Sequence, residues 1–253
     1  KENGLKNLRS KKKKNIYLIS PLKIKIYFYS DLIEVLKQNK KNILQLRKKK
    51  KKKKKKNIYL ISPLKINVYF YSDLIEVFKQ NKVSFFQLRL KKESFKKKLV
   101  IGRKIKKICK KFNVKLLIND DVYLAKKLNA DGCHLGQKDM SIFEARKLIG
   151  DKIIGITCHN SIELAKDALK NKADYLAFGA FYSSKTKKTK YRANLKILKK
   201  IKKITKIPIV AIGGIDSDNY KKLLLNNANF LAISGYIWNN KKLKPLEAIK
   251  KLK

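Results

Sequence analysis

Between Asn57 and Ser234 the sequence switches eight times between a short apolar run and a longer amphipathic stretch. The runs are NIYLIS (57–62), VSFFQLR (83–89), VKLLIN (114–119), DGCHLG (131–136), KIIGIT (152–157), DYLAFG (174–179), PIVAIG (208–213) and NFLAIS (229–234). Near-continuous apolar runs of this length suit parallel strands covered on both faces. The intervening stretches carry helical spacing. Leu99, Ile101, Ile105, Ile108 and Phe112 share one face with lysines opposite, and Leu195, Ile197, Leu198, Ile201 and Ile204 recur likewise over 194–204. Eight strand–helix units are the number that closes a (β/α)8 TIM barrel, the α/β class expected here. A doubly wound open sheet is the alternative for the same alternation.

The first third of the chain does not fit that count. Residues 15–47 recur at 57–89 with 26 of 33 positions identical, and each copy follows a lysine run, Lys11–Lys14 or Lys48–Lys56. Solenoid repeats are more numerous and more divergent, so a tandem duplication is the expected origin. The second copy ends in VSFFQLR and continues into the alternating region. The first ends in KNILQLR and meets nine lysines, whose mutual repulsion opposes a packed strand. Residues 1–56 are therefore expected to form a supernumerary, lysine-rich N-terminal arm, and residues 57–253 the working domain. Tethered beside its partner strands, the second copy is expected to supply the first strand of the barrel, at the lower loop-closure cost.

Charge bears on the partners. The 66 Lys and Arg against 18 Asp and Glu give a formal charge of +48, which by itself points to nucleic acid or an anionic surface. The basic residues are spread over every amphipathic stretch and over homopolymer runs, not gathered on one face with interleaved aromatics. No specific nucleic-acid partner is expected on that ground, although a polyanion binder acting through Lys48–Lys56 remains a competing class. Cys109, Cys133 and Cys158 are far apart, form no C-x-x-C pair and have only two histidines as further soft ligands, which disfavours zinc. An odd cysteine count fits a reducing compartment. No apolar run reaches membrane-spanning length and the N-terminus lacks the apolar core of a leader, so a cytoplasmic location without a membrane partner is expected. Oligomeric state is not legible.

In a barrel of parallel strands, polar residues just past the strands collect at one mouth, where barrel active sites are built. The successive strand ends carry Gln87, Arg89 and Lys91; Asn119, Asp120 and Asp121; His134, Gln137 and Asp139; Thr157; Ser184, Thr186 and Lys187; Gly213 and Gly214; and Ser234 and Gly235. Asp120 and Asp139, from neighbouring ends, are placed to meet over one hard cation such as Mg2+. Each also reads as the start of a helix. Arg89, Lys91 and Lys187 supply charge for a diphosphate, Arg as a planar fork and Lys as point charges. The Ile212-Gly213-Gly214 and Ile233-Ser234-Gly235 turns, at adjacent ends, suit phosphate held by backbone N–H groups. His134 reads either as a histidine satisfied by a backbone carbonyl or as a ligand contact. His159 reads as a structural residue in a turn, and Cys133 and Cys158 as small buried hydrophobes.

QLRLK (87–91), LLIND (116–120), ADGCHLGQKD (130–139), GIT (155–157), FGAFYSSKTK (178–187), VAIGGI (210–215) and AISG (232–235) together resemble, in order, the thiamine phosphate synthase family. The resemblance implies a TIM barrel that joins an aminopyrimidine diphosphate to a thiazole phosphate, or to its carboxylated form, and releases pyrophosphate. It implies that Gln87, Arg89, Lys91, Asn119 and Thr157 hold the pyrimidine diphosphate. Ser184, Lys185, Thr186, Gly214, Ile233 and Ser234 would meet the thiazole phosphate, and Lys187 the diphosphate. Arg89, Thr157 and Lys187 would carry the catalytic load, and Asp120 and Asp139 would bind Mg2+. Leu90, Ala180 and Ser184 depart from the family pattern, and Thr157 stands where it usually has Ser. A thiazole tautomerase would share the phosphate turns but needs neither the diphosphate clamp nor the carboxylate pair.

Overall fold

A computed structural model of the protein describes residues 34, 36–40, 57–183 and 191–252. The chain divides into two units, Lys1–Lys54 and Lys55–Lys253. In the first, the described residues 34 and 36–40 are helical. The rest of the expected arm, with its first repeat copy and its lysine runs, lies outside the described residues.

The second unit is a closed barrel of eight parallel strands in sequence order. The strands are β1 (Ile58–Ile61), β2 (Val83–Leu88), β3 (Lys115–Asn119), β4 (Gly132–Leu135), β5 (Ile153–His159), β6 (Tyr175–Gly179), β7 (Ile209–Ile212) and β8 (Phe230–Ile233). Between them run α1 (Phe70–Lys79), α2 (Phe95–Lys111), α3 (Val122–Leu128), α4 (Ile142–Ile149), α5 (Ile162–Lys170), α6 (Leu195–Ile204) and α7 (Tyr220–Leu225). After β8 come α8 (Gly235–Trp238) and α9 (Pro245–Lys251). The barrel closes where β1 pairs with β8, Ile58 opposite Leu231 and Leu60 opposite Ile233. The strand that closes it comes from the second repeat copy.

Alternation along the strands separates two apolar layers. Ile58, Leu60, Phe86, Leu88, Leu116, Ile118, Cys133, Leu135, Leu176 and Phe178 belong to the large core between strands and helices. Residues of the opposite parity, Tyr59, Ile61, Leu117, Tyr175, Ala177, Val210 and Ala232, fill the barrel's lumen as a second cluster. A side-chain period of two requires this division. It also fixes direction at the strand ends, because Gln87, Asn119, His134 and Thr157 stand at lumen-facing positions. Leu90 follows the other parity and is buried in the outer core, 3 % exposed.

The helices follow their apolar stripes. Ser94 caps α2 by accepting from the Lys97 N–H. Ile101 and Ile105 are buried on the inner face, with Leu99, Ile108 and Phe112 packed at its margins. On α6, Ile197, Leu198 and Ile201 are buried while Ile204 is left exposed, because the helix ends there.

At the end of the barrel opposite the strand C-termini, an Asp or Asn before one strand holds the N–H that starts the preceding strand. Asp131 accepts from Leu116, Asp174 from Ile154 and Asn229 from Ile209, all at 2.8 to 2.9 Å. These bonds satisfy buried backbone donors that the ladder leaves over. All three cysteines are buried and free.

Candidate active site at the barrel rim

Three strand ends are stitched together by serines. Ser234, after β8, donates to the Ser62 carbonyl at 3.1 Å, and the Ser62 hydroxyl accepts from the Arg89 N–H at 2.9 Å. Trp238 Nε1 donates to the Ile61 carbonyl at 2.7 Å. The ends of β8, β1 and β2 are thus held in one frame, which sets where Arg89 leaves the wall. Ile233 has outer parity and is 2 % exposed. Any contact it makes to a ligand at the mouth comes from its main chain.

The carboxylates Asp120 and Asp139 come together. Asp120 follows β3 in a left-handed conformation, φ 63°, and its N–H donates to the His134 carbonyl at 2.8 Å. That single positive φ takes Asp120 out of the alternation. The next residue, Asp121, is the cap of α3, accepting from the Leu124 N–H. The cap of α4 is Ser141, in a capping box with Glu144. Neither Asp120 nor Asp139 is therefore used to start a helix. The Asp139 carboxylate accepts from the Gly136 N–H at 2.6 Å and lies within hydrogen-bonding reach of Asp120. Lys91, beyond β2, places Nζ 2.7 Å from Asp120 Oδ2.

Electrostatics divide the pair. Burial alone would push the Asp120 carboxyl up, but the Lys91 ammonium and hydrogen bonding to Asp139 hold it below the usual carboxylate range. Burial and the adjacent Asp120 charge push Asp139 above that range, against the Gly136 N–H. Two carboxyls this close resist carrying two negative charges without a cation. Their donors are hard oxygens. Among the described residues no group of three or more His, Cys, Asp or Glu side chains gathers around one point. The set fits a cation held partly by carboxylate and partly by waters or substrate phosphate, which is the habit of Mg2+ and not of zinc.

His134 sits just inside this cluster. Its Nε2 lies 2.9 Å from Thr157 Oγ1, and its Nδ1 lies 2.8 Å from the Tyr175 hydroxyl. The ring partners are two hydroxyls, where the sequence had suggested a backbone carbonyl as one possibility. Burial depresses its pKa to about 4; Asp120 pulls the other way, and Arg89 adds to the depression. Gln87, 2 % exposed, donates from Nε2 to the Tyr59 hydroxyl at 3.0 Å. Tyr59 and Tyr175, whose hydroxyls lie 2.8 Å apart, were not singled out in the sequence. The only signal for them was a tyrosine at a lumen position in an otherwise apolar strand.

On the far side of the mouth, Gly213 and Gly214 have φ of 105° and 62°. A Cβ on either would overlap the 180–183 backbone or the Ala180 side chain, so both positions require glycine. Phe181 and Tyr182 donate their N–H groups to the carbonyls of Ile212 and Gly213 at 3.1 and 3.0 Å. The Ala180 departure lies in this packed turn. Ser184, Lys185, Thr186 and Lys187 lie outside the described residues. His159, expected in a turn, instead ends β5 with φ 52° and stacks on Tyr191 with ring centroids 4.0 Å apart. Its place follows from an irregularity in the β5–β6 register between Thr157 and His159. The two rings line a cavity of about 380 Å³ with Gln137, Asn160, Ser161 and Leu164.

The family model of thiamine monophosphate synthase matches residues 58–237. A thiamine-phosphate synthase of Pelagibacter ubique is 70 % identical over 242 residues, covering 95 % of this chain and 97 % of the relative. That of Nitrosospira multiformis is 43 % identical over 143 residues, 56 % of this chain and 61 % of the relative's own length. A solved thiamine phosphate pyrophosphorylase from Pyrococcus furiosus superposes with a TM-score of 0.69 at 28 % identity, covering 78 % of this chain and 94 % of that one. Residues 57–253 make up about four-fifths of the chain, so the Pelagibacter match extends into residues 1–56, beyond the barrel.

Proposed function

The chain belongs to the thiamine monophosphate synthase family, and from that premise we propose that the rim around Asp120, Asp139 and His134 is its active site. The enzyme joins an aminopyrimidine diphosphate to a thiazole phosphate, giving thiamine phosphate and pyrophosphate. What supports this location is the meeting of Lys91, Asp120 and Asp139 at three successive strand ends beside the lumen-facing Gln87, Asn119 and Thr157.

Asp120 and Asp139 would hold Mg2+, which when bound neutralises charge on the diphosphate as it leaves. Arg89 and Lys91, on the same side of the mouth, bind the diphosphate oxygens, and Lys187 adds a further charge. Gln87 and Asn119, pointing into the lumen, hold the aminopyrimidine by its ring edge. Thr157 binds an acceptor on the same substrate. The thiazole phosphate takes the opposite side, against Gly214, the main chain of Ile233, and Ser234, with Ser184, Lys185 and Thr186. The aminopyrimidine is electron-rich, so its exocyclic methylene ionises as pyrophosphate departs, and the thiazole nitrogen then attacks the cation. Positioning and electrostatics carry the catalysis, with no covalent enzyme intermediate.

The test is pyrophosphate release from the full chain with both substrates and Mg2+. Release that requires the thiazole phosphate supports the reading, and isomerisation of a thiazole phosphate without pyrophosphate would replace it.

A further inference from the structure

We infer that a buried chain of side chains in the lumen, Gln87, Tyr59, Tyr175 and His134, fixes the direction of the Thr157 hydroxyl so that it donates its proton to the bound ligand. Tyr59 and Tyr175 are then positioning residues for the reaction. The inference rests on the reading of Thr157 as a ligand contact.

The argument is a count of protons. Tyr59 and Tyr175 are 2 % and 3 % exposed, and Ile61, Leu117, Val210 and Ala232 around them carry no side-chain acceptor. Each phenol has one proton to give. Tyr59 accepts from Gln87 Nε2 at 3.0 Å, so its own proton goes to the Tyr175 oxygen at 2.8 Å. Tyr175 thus accepts there and gives its proton to His134 Nδ1, also at 2.8 Å. A ring nitrogen that accepts is unprotonated, which leaves the imidazole proton on Nε2, directed at Thr157 Oγ1 at 2.9 Å. With that lone pair engaged, the Thr157 proton points away from the histidine, toward the mouth. Run in reverse with the Gln87 amide still presenting Nε2, the chain would leave the Tyr59 proton buried without an acceptor, the costly case for a polar group in an apolar surround. It would also turn a Thr157 lone pair toward the substrate's acceptor, a repulsive contact.

Gly155 makes the arrangement possible. It faces the lumen two residues before Thr157, and a Cβ there would overlap the Tyr175 ring. Its absence lets the phenol lie against β5 and reach Tyr59 and His134 together.

The chain has two histidines, so one- and two-bond proton–nitrogen spectra of the 15N-histidine-labelled full chain resolve both, with His159→Gln for assignment. The expected result is His134 protonated on Nε2 and bare on Nδ1. In Tyr175→Phe the tautomer preference is expected to weaken and turnover to fall about tenfold. The Tyr175→Phe/Thr157→Ala double variant is expected to lose no more than Thr157→Ala alone. A proton on Nδ1 in the parent chain overturns the inference, as does an additive loss in the double variant. The parent spectrum needs no variant, so a Tyr175→Phe chain that fails to fold leaves the test standing. Parental turnover in Thr157→Ala, with the Nε2 proton in place, would overturn the ligand contact and not the chain of bonds behind it.

Discussion

Lys91 Nζ stands 2.7 Å from Asp120 Oδ2, across the gap between the ends of β2 and β3. In the free enzyme this ion pair neutralises one of the two clustered carboxylates. In the proposed site the same ammonium also serves the diphosphate as a second anion. Lys91→Ala should raise KM for the pyrimidine diphosphate by about tenfold to a hundredfold, the range for a lost charge-assisted hydrogen bond. KM for the thiazole phosphate should hardly move. Initial-rate kinetics with each substrate varied in turn check this.

His134 predicts a pH dependence of stability. Its pKa is depressed to about 4 in the fold, against about 6.5 in an unfolded chain. Between these values the unfolded state binds the extra proton, so stability falls as pH drops through that window and levels off below it. The full effect is about 3 kcal/mol, present above pH 6.5. His134→Gln should flatten urea-unfolding free energies measured between pH 7 and pH 4.

Asp174 belongs to the opposite end of the barrel, where it accepts from the Ile154 N–H and pairs with Arg146 at 2.7 Å. Asp174→Ala leaves a backbone donor without its partner and should cost about 1–3 kcal/mol. Denaturant melts should show that loss, while kcat in the folded variant stays at the parental value.

The duplication in the sequence gives a prediction about domain use. β1, supplied by the second copy, pairs with both β2 and β8, so the barrel's strands are complete from Asn57 onward. A chain starting at Asn57 should retain turnover within about twofold, because among the described residues no barrel strand or rim contact is removed. Dependence of turnover on residues 1–56 would show that this segment takes part in the reaction.

Strand number, parallel order and the parity of the described strand ends were legible because they rest on period and count. Apolar runs fix the strands, and parity carries Gln87, Asn119, His134 and Thr157 to the lumen side. The lumen's own contents were harder to see. Tyr59 and Tyr175 look like ordinary β-forming residues until the closed barrel sets their hydroxyls 2.8 Å apart, across 116 positions in sequence. The choice between a helix cap and a rim carboxylate at Asp120 was also illegible. It turns on one left-handed residue, and an NDD sequence permits either aspartate to be the cap. His159 was misplaced because a register irregularity extends β5 past the apolar run that marks it.

The most direct measurement is pyrophosphate release by the full chain and by Asp139→Ala, with both substrates, over a Mg2+ titration. The account predicts Mg2+-dependent release by the parent and a loss of at least about a hundredfold in the variant, which lacks half of the carboxylate pair. Parental turnover in Asp139→Ala, at the same Mg2+ midpoint, would contradict it.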